Sequence, residues 1–86
     1  MKLKNGFILH RTEDECVMVA TGKGQFNGMV RLNETAAFFA EQLKKEVTEK
    51  EIVDAAEQNY DAPRDVLEKD VRAVLEKLRS VGAIEE

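Results

Sequence analysis

His10 and Cys16 are the residues of this 86-residue chain whose side chains could most readily do chemistry, and each type occurs once. Imidazole and thiol can form a nucleophile couple, but the couple also needs an orienting group and an oxyanion site, and no segment supplies either. Two soft ligands do not by themselves hold a zinc ion, which takes four. A lone cysteine excludes an internal disulfide, and the apolar neighbours Val17 and Val19 fit a buried strand thiol. Gly22-x-Gly24 with Gly28 imitates a phosphate loop, yet the dinucleotide fingerprint opens a helix and here a strand follows, so a glycine turn is expected. Asn33-Glu34-Thr35 matches a glycosylation sequon, but Asn33 serves better as a helix cap. The sequence therefore predicts no catalytic residue, no metal site and no cofactor.

The elements that position these residues change period once along the chain. Phe7 to Thr12 and Glu15 to Ala20 are β-rich runs joined by Glu13-Asp14, an antiparallel hairpin pattern. The glycine-rich stretch 21–28 leads into a third strand at Met29 to Leu32. Asn33 then offers its side-chain oxygen to the first free N–H groups of a helix, and Glu34 places negative charge at the positive end of its dipole. Ala36, Phe39, Ala40, Leu43 and Val47 fall on one stripe of that helix, predicted over residues 34–46. Thr48-Glu49-Lys50-Glu51 reads as a capping box opening a second helix, with Ile52, Val53, Ala56 and Tyr60 on its buried side. Its charged face, Glu49, Lys50, Asp54 and Glu57, reads as solvated surface. Pro63 suits the first turn of a third helix lined by Val66, Leu67, Val71, Val74, Leu75 and Leu78, and Gly82 is its left-handed stop. Three strands followed by three helices make one α+β domain over residues 1–86.

Charge and length bound the function. Residues 1–33 carry five Lys/Arg and three Asp/Glu, whereas residues 34–86 carry eight and fourteen, so the helical half is the acidic one. A nucleic-acid module advertises a basic stripe instead. No apolar run approaches the roughly 20 residues that span a bilayer, and no signal-like core follows the first residues, so a cytoplasmic location is expected. Two surfaces are open to either of two readings, burial in the core or use as a binding surface. With three strands, one sheet edge stays open unless something covers it, and the third helix is apolar over a wider arc than one seam needs.

The pattern Lys4-Asn5-Gly6-Phe7, then Asn27-Gly28-Met29-Val30-Arg31-Leu32-Asn33-Glu34-Thr35-Ala36-Ala37-Phe38, then Thr48-Glu49-Lys50-Glu51-Ile52-Val53, and Asp70-Val71-x-x-Val74-Leu75-x-x-Leu78 resembles the PqqD-like proteins. These are named for a pyrroloquinoline quinone biosynthesis protein and include precursor-recognition elements of ribosomal peptide modification pathways. The resemblance implies a three-stranded antiparallel β-sheet followed by a three-helix winged helix-turn-helix bundle. It also implies a non-catalytic module that captures a precursor, or leader, peptide by β-augmentation and presents it to a separate modifying enzyme, often a radical S-adenosylmethionine protein in this family. By resemblance the peptide-binding residues are Gly28, Met29, Val30, Arg31 and Leu32 on the strand, and Arg64, Leu67, Glu68, Val71, Arg72 and Leu75 on the third helix.

Two other readings stand beside this one. Three helices and a hairpin can place a recognition helix in a DNA groove, but residues 64–79 carry five basic and four acidic side chains, too nearly balanced to neutralise several phosphates. An assembly subunit could pair its edge strand with that of a second copy, giving a homodimer.

Overall fold

A computed structural model of the chain describes residues 1–20 and 29–86. The expectations that rest on Thr21 to Gly28, namely the glycine turn and the Gly28 contact, lie outside the described residues. The elements run β1 (Lys2–Leu3), β2 (Phe7–Arg11), β3 (Cys16–Ala20), β4 (Met29–Leu32), α1 (Glu34–Gln42), α2 (Glu49–Asn59), α3 (Arg64–Ser80) and β5 (Ile84–Glu85). The fold is α+β: an antiparallel sheet β2-β3-β4 precedes three helices, as expected.

The β2–β3 hairpin closes where Thr12 and Glu15 face each other, with the Thr12 amide donating to the Glu15 carbonyl at 2.8 Å across Glu13-Asp14. Pleating sends alternate side chains to opposite faces. Phe7, Cys16, Met18, Val30 and Leu32 face inward and are buried against the helices. Ile8, His10, Val17, Val19, Met29 and Arg31 occupy the outer face, where Ile8 is 55% and Met29 63% exposed. Within the core Phe39, Met18, Leu43, Ile52, Leu75 and Leu78 are the largest fully buried side chains, each stabilising by about 1.5–3 kcal/mol relative to exposure. Phe38 stands edge-on to Tyr60, ring centres 5.5 Å apart, which ties α1 to the end of α2.

The helix boundaries follow their caps. Asn33 Oδ1 accepts from the Ala36 amide at 2.7 Å. Thr48 and Glu51 form the reciprocal capping box, at 2.8 and 3.1 Å. Gly82 adopts φ 74°, and behind it the amides of Gly82 and Ala83 donate to the carbonyls of Arg79 and Leu78, both at 2.9 Å. That is a Schellman closure, and its apolar pair Leu78–Ala83 is fully buried.

Two helix boundaries differ from the sequence expectation, and two strands are added to it. Helix α1 ends at Gln42 instead of running on to residue 46, because the Leu43 carbonyl that would accept from residue 47 accepts from the Leu3 amide at 2.8 Å. The Val47 amide turns to the Met1 carbonyl at 2.9 Å. Pro63 occupies the N-cap of α3, one position before the first helical residue, and its missing N–H has no partner to lose there either. The strands β1 and β5 were not expected; they pair antiparallel with each other, Leu3 opposite Ile84, in a separate two-stranded sheet.

Candidate functional site

The register decides first what cannot react. Arg11 lies opposite Cys16 and His10 opposite Val17, so His10 and Cys16 point to opposite faces of the sheet and cannot form a couple. Burial pushes the Cys16 thiol up from its ordinary value, with nearby Arg11 opposing. Among the described residues no group of three His, Cys, Asp or Glu side chains is placed to hold a metal ion. No described helix is long and apolar enough to cross a membrane.

What the fold leaves open is an edge. Strand β4 pairs with β3 along one side, Met29 opposite Val19 and Leu32 opposite Cys16, and no other described strand pairs with its other side. The row of backbone donors and acceptors along that side is a template for another strand. Beside its C-terminal end runs a groove of about 380 Å³, lined by Arg31, Leu32, Asn33, Ala36, Ala73, Val74 and Lys77. Strand and helix thus wall one depression, and the alanines at positions 36 and 73 leave room in it for an incoming side chain.

The strand residues of the sequence-derived site sit together: Met29 and Arg31 are exposed, while Val30 and Leu32 turn inward and are buried. The helix residues divide differently. Leu67, Val71 and Leu75 are buried in the core, 3%, 0% and 0% exposed, and are not among the residues that line this groove. Arg64 lies on the α2 side, held by Asp54 at 2.9 Å, Glu57 at 2.5 Å and Glu68 at 3.5 Å. Arg72 reaches Glu49 at 3.4 Å, again toward α2. The face of α3 that meets β4 is therefore Ala73, Val74 and Lys77, rotated from the expected one. Periodicity could not find it, because Val74 reads as core and a lysine four residues after an alanine carries no pattern.

The same ion pairs correct the reading of the charged face of α2 as plain solvated surface. Glu49, Asp54 and Glu57 are the partners of the two α3 arginines, and Lys50 pairs with Asp54 at 3.3 Å. Hydrogen bonds from Arg64 and Lys50 hold the Asp54 carboxyl below its usual range. At these exposures each pair stabilises little. The rotation of α3 is set by its buried stripe, Leu67, Val71, Leu75 and Leu78, and Arg64 and Arg72 fall on the α2 side as a result.

A model of the family Coenzyme PQQ synthesis protein D (PqqD) matches residues 15–84. No curated protein matches the chain in sequence. Two solved structures share its fold. One is "TbiB1 in Complex with the TbiA(beta) Leader Peptide", with 24% identity, covering 99% of this chain and 100% of that one at a TM-score of 0.77. The other is "Lasso peptide synthetase B1 complexed with the leader peptide", with 20% identity, covering 99% and 96% at a TM-score of 0.78. With a family match that takes in β3, β4, all three helices and the start of β5, this chain belongs to the PqqD family.

Proposed function

We propose that this protein is a non-catalytic module that captures a precursor (leader) peptide by β-augmentation and presents it to a separate modifying enzyme. The observation that carries the reading is the unpaired side of β4 lying next to a groove walled by α3. Backbone hydrogen bonds along Met29 to Leu32 hold the peptide, and the groove selects side chains at alternate positions. Membership of the PqqD family and leader peptides bound by two proteins of the same fold support it. On α3, Ala73, Val74 and Lys77 take the place first given to Leu67, Val71 and Leu75. Arg64 and Arg72 pair toward α2, and Glu68 pairs with Arg64, instead of touching the peptide. The modifying enzyme, of the radical S-adenosylmethionine kind or another, supplies the chemistry, and the pair works in the cytoplasm where ribosomal precursors arise.

DNA binding is the weaker reading. Of the five cations of α3, Arg64, Arg72 and Arg79 are engaged by carboxylates, the last by Glu86 at 2.8 Å. The test is a proline scan of the edge with amide shift mapping against candidate precursor peptides. Alternate residues of an edge strand point their N–H groups outward, so one of Val30→Pro and Arg31→Pro abolishes binding with the fold kept, while the other disrupts pairing to β3. Shifts confined to α2, or none, refute the reading. Sedimentation on the same samples separates it from self-pairing, because a second copy at β4 would compete with the peptide.

A further inference from the structure

Two other depressions on the described surface mix their charges. The one beside the β2–β3 turn, about 400 Å³, holds Arg11 and Arg31 among Glu13, Asp14, Glu15 and Glu34. The one between the end of α1 and α2 holds Lys45 among Glu46, Glu51 and Asp54. The groove between β4 and α3 is different: its lining has two cations, Arg31 and Lys77, and no carboxylate. In a chain with 17 acidic residues and a net charge of −4, that is a local reversal of sign.

Both cations are available. Lys77 has no ion pair among the described residues, and Arg31, its side chain 80% exposed, forms among them one ion pair, with the half-exposed Glu15 at 3.8 Å, a contact easily exchanged. The two lie on different sides of an added strand. Arg31 is on the outer face of β4, so it meets the peptide residue directly across the strand pair. Lys77 is on the α3 wall, so it meets peptide side chains that point inward, next to the apolar floor of Leu32, Ala36, Ala73 and Val74.

The geometry points to an acidic selectivity: the groove takes extended peptides in which an aliphatic side chain seated between β4 and α3 is flanked within two residues by Asp or Glu. An inward carboxylate two residues along faces Lys77, and an outward carboxylate one residue along faces Arg31. The long-range field of the chain opposes such a ligand, since the protein is itself anionic. The preference is therefore short-range and belongs to these two side chains. This inference rests on the peptide-binding reading of the β4 edge and deepens it.

Three labelled, capped nonapeptides test it by fluorescence anisotropy with the intact chain. Each has one central leucine with threonine at the four outermost positions, and the two residues on either side of the leucine are all glutamate, all glutamine or all lysine, so that both inward and outward positions are varied. The glutamate peptide is expected to bind about fivefold more tightly than the glutamine peptide, the effect of two exposed ion pairs, with lysine weakest. The margin shrinks as salt is raised from 20 to 500 mM, because exposed charges are screened. In the double variant Arg31→Gln, Lys77→Gln the glutamate and glutamine peptides bind alike. Equal binding of all three peptides by the unaltered protein overturns the acidic selectivity and leaves the edge reading standing. Binding by none of them overturns both.

Discussion

Replacing Asn33 by alanine tests the junction on which the whole arrangement depends. The side chain closes one hydrogen bond, Oδ1 to the Ala36 amide at 2.7 Å, and its own carbonyl already accepts from Ala37 at 2.8 Å, so only the side-chain bond is lost. An alanine at an N-cap costs about 1 kcal/mol, because an amide in the first turn is left without a partner. In a domain of this size that lowers the melting temperature by about 4–8 °C. Asn33→Asp keeps an acceptor at the positive end of the α1 dipole and is expected to melt near the parent. Circular dichroism melts of the three proteins at neutral pH measure both effects. If Asn33→Ala melts like the parent, or Asn33→Asp falls as far as alanine, the cap does not carry the strand-to-helix junction and the reasoning fails.

Leu43→Ala and Leu78→Ala, both at fully buried positions, are each expected to cost about 2–5 kcal/mol in urea denaturation, a large share of the stability of so small a domain. Val74→Asp on the groove wall is expected to weaken peptide binding by tenfold or more with little change in melting, whereas Arg72→Glu, set against Glu49 on the α2 side, leaves affinity unchanged; titration of both variants with one peptide separates the two helix faces. Because the folded-state pKa of Asp54 is depressed, its stabilisation is present above the unfolded value of about 3.9 and is lost as pH falls through the folded one. Melts taken from pH 6 to pH 2.5 should therefore show a smaller acid loss for Asp54→Asn than for the parent.

How much was legible in the sequence depended on whether a signal was local. The caps were local: Asn33, Thr48 with Glu51, and Gly82 each announce a helix end through their own side chain or backbone, and all lie at the ends of helices. The end of α1 was not, because nothing between Leu43 and Val47 says that a distant amide of Leu3 will take the carbonyl the next turn needs. Strands β1 and β5, two residues each, are too short to show alternation. Within the site, the open side of β4 could be anticipated from strand count alone. The rotation of α3 could not: Leu67, Val71 and Leu75 and their neighbours Val66 and Val74 give two overlapping stripes, and only the burial of the first against the rest of the core, with Val66 left exposed, decides between them.

The absence of any connecting loop between β4 and α1 makes the edge strand a ruler with a fixed zero. Leu32 is the last strand residue, Asn33 the cap and Glu34 the first helical residue. Sliding β4 by one position against β3 would expose Val30 and Leu32, and it would drag the cap away from the Ala36 amide. Strand register and helix start are thus one mechanical constraint, so the outward N–H groups of β4 stand at set distances from the groove. A chain laid along them is read in a single frame: the residue that reaches the alanine floor is chosen by backbone phase before its side chain is ever compared with another.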